Sequence, residues 1–84
     1  MKAVFTKRAL DDLHSLDQIT KKQILNKLRF YIQSGNPLDY AKKLVNTSVG
    51  GYRFRAGVYR IAFNVSGSEI IILRVRHRRE VYGR

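Results

Sequence analysis

The chain has 84 residues, with 17 Lys+Arg against 6 Asp+Glu, a formal net charge of +11 and no cysteine. That length predicts one small domain over residues 1–84, and a 44% hydrophobic content with a single proline lets it build a core, which excludes a disordered basic tail. The missing cysteine excludes disulfide frameworks, Cys-ligated zinc and thiol catalysis, while apolar runs no longer than residues 70–73 and a start without a secretory apolar stretch predict a cytoplasmic protein with no membrane partner.

Residues 2–6 are short, apolar and partly β-branched, which predicts a first strand. Thr6 can N-cap a helix of about ten residues in which Ala9, Leu10, Leu13 and Leu16 recur at helical spacing, with a stop near Asp17. Thr20 and Gln23 form a capping-box pattern that predicts the start of a second helix. Its apolar stripe is Ile24, Leu25, Leu28, Tyr31 and Ile32, and Gly35 with Asn36-Pro37 ends it. So short a turn between two helices predicts an antiparallel hairpin.

Residues 38–49 show no clear period beyond one helical turn near their start. The pattern then alternates. Residues 52–55 predict a strand, Ala56-Gly57 a tight turn, residues 58–65 a second strand, Ser66-Gly67-Ser68 another turn, and residues 69 to about 77 a third strand. The predicted order is β-α-α-β-β-β, an α+β fold in which an antiparallel sheet carries a helical hairpin on one face and a basic surface on the other.

Charge concentrates in the second half: residues 1–41 carry seven basic and four acidic side chains, residues 42–84 ten and two. Because side chains alternate across a strand, parity assigns faces. Tyr52, Phe54, Tyr59, Ile61, Phe63, Val65, Ile71, Leu73 and Val75 are expected on the core face, and Arg53, Arg55, Arg60, Arg74 and Arg76 on the other. An ordinary solvated sheet face mixes signs, because like charges placed opposite each other are destabilising. Only Glu69 and Glu80, at the two ends of the last strand, answer these arginines in that half of the chain. The one-signed crowding predicts an anion-binding surface, to which Lys42, Lys43 and Arg79 are further candidate contributors, while a charge excess serving only solubility is the bland alternative.

Residues 51–63, Gly-Tyr-Arg-Phe-Arg-Ala-Gly-Val-Tyr-Arg-Ile-Ala-Phe, and residues 71–82, Ile-Ile-Leu-Arg-Val-Arg-His-Arg-Arg-Glu-Val-Tyr, closely resemble the RelE branch of the RelE/ParE toxin superfamily. Residues 5–13 look like that family's strand-to-helix opening, so the resemblance covers nearly the whole chain. It implies the same α+β fold and the toxin of a type II toxin–antitoxin pair. The implied activity is a metal-independent and cofactor-free endoribonuclease that cuts mRNA in the ribosomal A site by 2′-hydroxyl attack. The implied partners are a cognate antitoxin and ribosome-bound mRNA, with operator DNA reached only through the antitoxin.

Carried over by position, Arg53 and Arg55 match the two basic residues that contact the scissile phosphate, and Arg60 matches the arginine implicated in transition-state stabilisation. Tyr82 matches the C-terminal tyrosine that orients or activates the attacking hydroxyl. For the remaining catalytic arginine both Arg76 and Arg78 are candidates. Relatives with lysine at the first two positions can invoke a deprotonated lysine as base, a role that does not transfer to Arg53 and Arg55, because a guanidinium holds its proton too firmly. His77 has the residue type for acid–base work, yet its parity is that of the core. His14 is expected to face solvent. With the chain ending two residues past Tyr82, the C-terminal helix of some relatives is not expected. Two rivals remain: a ParE-like inhibitor of DNA gyrase and a non-enzymatic nucleic-acid-binding module.

Overall fold

In the computed structural model, which describes residues 1–44 and 51–82 and the last two of these by backbone alone, local signals set most element boundaries. The chain runs through β1 (Lys2–Phe5), α1 (Lys7–His14), α2 (Gln18–Gln33), a 3₁₀ turn (Pro37–Tyr40), β2 (Lys42–Lys43), β3 (Tyr52–Ala56), β4 (Tyr59–Ser66), β5 (Glu69–His77) and α3 (Arg78–Tyr82). The Thr6 hydroxyl accepts from Ala9 N–H and caps α1 as expected. Helix α2 begins two residues before Thr20, because Asp17 is the stronger cap. Its carboxylate accepts Thr20 N–H at 3.2 Å and the Thr20 hydroxyl at 2.6 Å, and a carboxylate also suits the positive end of the helix. Those bonds, the side-chain one foremost, hold the Asp17 pKa below its usual value. Gly35 closes α2 at φ +88°, a conformation that favours glycine.

The sheet has the order β1-β5-β4-β3-β2. It is antiparallel except that β1 lies parallel to β5. The two-residue strand β2 was not expected from a segment without period. Residues 45–49, the rest of that predicted connector, lie outside the described residues. Residues 78–82, which follow the last expected strand, form the short α3.

Helices α1 and α2 cover one face. Ala9 and Leu13 of α1 and Ile24, Leu28 and Tyr31 of α2 join Phe54, Ile61, Phe63, Ile70, Ile72 and Val75 of the sheet in one buried cluster. Tyr31, Phe54 and Phe63 stack in sequence, with ring centroids 4.6 and 4.3 Å apart. The Tyr31 hydroxyl donates to the Arg55 carbonyl at 2.6 Å, tying α2 to the edge of β3. Burial pushes the Tyr31 pKa up, so the hydroxyl stays a donor.

One parity assignment is corrected. Ile70 and Ile72, not Ile71 and Leu73, are the fully buried residues of early β5. The cause is a register shift: Phe63 pairs with Ile72 but Ala62 pairs with Arg74, which leaves Leu73 as an extra residue in β5. A single inserted residue reverses which side chains face the core. Beyond it Val75 is buried as expected, and Arg74 and Arg76 take the opposite face.

Candidate functional site

Cross-strand register converts the scattered arginines into two rows. Arg55 pairs with Arg60 across β3 and β4, and Arg60 pairs with Arg76 across β4 and β5. Directly paired residues share a face and neighbouring strands lie about 4.8 Å apart, so three guanidinium groups project from a strip about 10 Å wide. The second row runs Lys42, Arg53, Ala62, Arg74. All five predicted arginines therefore occupy one face, with exposed Lys42 extending it. Lys43 pairs with Tyr52 and takes the opposite parity, which removes it from the rows.

The rows differ in environment. Arg60 sits in the central strand and is only 7% exposed, the one buried charged residue among those described. Its guanidinium places a positive charge where water screens poorly. Arg55, on one side of it, is exposed, and Arg76, on the other, is half-buried. Arg74 is turned to the sheet edge, where Asp12 of α1 accepts from its Nε at 2.9 Å and its Nη2 at 3.1 Å. This acid was missed from sequence because it lies on another element, and no local spacing links it to β5. Partial burial would raise the Asp12 pKa. Hydrogen bonds from Arg74 and Val75 N–H, with the charges of Arg74 and Arg76, outweigh it and hold the carboxyl below its usual value. The same hydrogen bond to Asp12, before any other cause, raises the Arg74 pKa.

Past the end of β5 the chain leaves the sheet. Arg78 and Arg79 are exposed in α3, outside both rows, and Arg78 N–H donates to the Val58 carbonyl at 2.7 Å, docking α3 on the β3–β4 turn. Of the two candidates for the last arginine, Arg76 is the one in register with Arg60. His77 pairs with Tyr59 on the helix side of the sheet, as its parity implied, and its ring meets Tyr59 edge-on at 5.4 Å. Its Nδ1 accepts Arg79 N–H at 3.0 Å, and Glu80 Oε1 accepts His77 N–H at 3.0 Å. This is a capping box with histidine as the cap. With Nδ1 accepting, the neutral ring carries its proton on Nε2 and offers a donor there, which argues against a general-base role. Tyr82 lies in the last turn of α3 and its side chain is outside the described residues; His14 is exposed as expected.

Such a face can hold a phosphodiester and stabilise the charge that grows on its oxygens during transfer. Residues 3–82 match the family model for the ParE toxin of the type II toxin–antitoxin system parDE. Toxin RelE3 of Methanocaldococcus jannaschii is 34% identical over 85 residues, covering 98% of this chain and 96% of that protein. Two solved toxin–antitoxin complexes share the architecture. RelBE2 of Mycobacterium tuberculosis superposes with a TM-score of 0.75 at 30% identity, covering 92% of this chain and 96% of that one. The RelB–RelE complex of Methanococcus jannaschii gives 0.71 at 29% identity, with 95% of each chain covered.

Proposed function

The chain belongs to the RelE/ParE superfamily of type II toxins, and on that premise we propose that it is a ribosome-dependent endoribonuclease that cuts mRNA in the A site and is silenced by a cognate antitoxin. The observation that carries this reading is the Arg55–Arg60–Arg76 row with Arg60 buried at its centre. Like charges set directly opposite one another work against the fold, which makes an anionic ligand the natural counterweight.

In the proposed reaction the ribose 2′-hydroxyl attacks the adjacent phosphorus, the P–O5′ bond breaks, and a 2′,3′-cyclic phosphate and a 5′-hydroxyl remain. Arg60 and Arg76 stabilise the pentacoordinate phosphorane, each donor contributing about 10²- to 10³-fold, while Arg53 and Arg55 hold the flanking backbone. Tyr82 is the group proposed to orient the attacking hydroxyl. An arginine-built site is poor in groups that accept protons near neutral pH, so alignment of the strand by the ribosome supplies much of the rate.

Charge supports the partner too, since an acidic flexible segment complements a +11 chain, and two related structures are toxin–antitoxin complexes. The ParE name of the family model keeps gyrase inhibition as the second reading. Primer extension on translated mRNA separates them. Wild-type protein is expected to leave cleavage ends in the A site, and Arg60→Ala to slow their appearance about 10²- to 10³-fold. Intact mRNA together with inhibited plasmid supercoiling overturns the nuclease reading.

A further inference from the structure

Arginines 74 and 76 face the phosphate-binding side only because β5 carries its extra residue at Leu73. Continuing the even-numbered parity of buried Ile70 and Ile72 would otherwise send both arginines into the core. What fixes the bulge comes from α1 and its N-cap. Strand β1 pairs with β5 no further than Phe5 and Ile72, so the β5 edge beyond that point has no neighbouring strand. There the Thr6 hydroxyl donates to the Leu73 carbonyl at 3.2 Å, and Asp12 Oδ2 accepts Val75 N–H at 2.8 Å as a strand carbonyl would. The same carboxylate holds Arg74 Nε and Nη2. Its side chain is 17% exposed, so water competes weakly for these bonds.

We propose that Asp12 is a positioning residue: it locks the β5 bulge from the open edge and so holds Arg76 in register with Arg60, setting turnover without touching RNA. This rests on the nuclease reading above. Asp12 also draws Arg74 to the sheet edge, which separates the roles of two arginines one residue apart: Arg76 faces the phosphate, and Arg74 holds the lock.

The test is Asp12→Asn, which keeps the side-chain shape but turns one carboxylate oxygen into an amide that cannot accept from Arg74. On programmed ribosomes, kcat is expected to fall about 10- to 100-fold with KM unchanged or lowered, since a misplaced donor costs turnover and not ground-state binding. In an Arg76→Ala background the same substitution is expected to cost less than about twofold further, because Asp12 acts through Arg76. In Asp12→Ala, which leaves no acceptor for Val75 N–H, amide hydrogen exchange at Val75 is expected to quicken about tenfold or more. If Asp12→Asn does not fold, Thr6→Val, which removes the bond to the Leu73 carbonyl, is expected to lower kcat in the same sense. A folded variant with wild-type kcat, a loss carried by KM, or losses that multiply in the double variant overturn the proposal. Wild-type protein that leaves ribosome-bound mRNA uncut overturns the nuclease reading instead, and unchanged Val75 exchange in Asp12→Ala then overturns the lock on its own.

Discussion

Arg55 and Asp12 illustrate opposite uses of charge on one sheet. Arg55 stands directly opposite Arg60, an arrangement that costs stability. Arg55→Gln is therefore expected to melt about 1–4 °C higher than wild type, from the few tenths of a kcal/mol that relieved repulsion returns in a domain of this size, while mRNA cleavage slows. Differential scanning calorimetry beside a cleavage assay checks both halves. Asp12 runs the other way. Its pKa lies below the usual 3.8, so its contribution is fully present above that value and is lost as pH falls through the lowered one. The gap in melting temperature between wild type and Asp12→Asn is expected to be constant near neutral pH and to close below pH 3.8, as melts across an acid series measure.

At the level of elements, the C-terminal turn decides what His77 is for. Its Nδ1 caps α3, the helix that carries Tyr82, and Glu80 completes the box. Asparagine is a good N-cap with no acid–base capacity. His77→Asn is expected to keep cleavage within about threefold of wild type, while His77→Ala loosens α3 by about 1 kcal/mol and cuts more slowly. A loss in the asparagine variant as large as in the alanine variant, read from pH–rate profiles of both, restores His77 as an acid–base group. Elements of this kind mark the limit of what the sequence discloses. Caps, turn glycines and alternation are local signals, so the two helices, both β-turns and the arginine face were legible. The parallel pairing of β1 with β5, the bulge at Leu73 and the reach of Asp12 across 62 residues are not local, and periodicity within one strand cannot report a residue inserted relative to its neighbour. The histidine cap is hidden for a different reason: histidine is not among the residue types that signal a helix N-cap, and its role rests on hydrogen bonds to Arg79 and Glu80.

At the scale of the molecule, the question is whether +11 acts as one field or as one face. The molecule measures 30 × 29 × 22 Å, and the lysines of α2 lie on the helix layer, across the sheet from the arginine rows. At about 0.1 M salt the screening length is about 10 Å, less than that thickness, so charges on the far side contribute little to a strand bound on the near one. A single-stranded RNA held by Arg53, Arg55, Arg60 and Arg76 releases counterions for about four phosphates, which gives a slope of log affinity against log salt of about −3. Affinity is then expected to fall about 50-fold between about 50 and about 200 mM salt, and Arg55→Gln to flatten the slope by about 0.7. A field in which all eleven net charges counted would give about −8 instead, and removing one arginine would leave the slope nearly unchanged in proportion. Fluorescence anisotropy of a short labelled RNA across a salt series distinguishes the two. A slope near −3 that responds to Arg55→Gln assigns binding to the rows. A slope near −8 returns the charge to the whole surface and takes from the rows their claim to be the site.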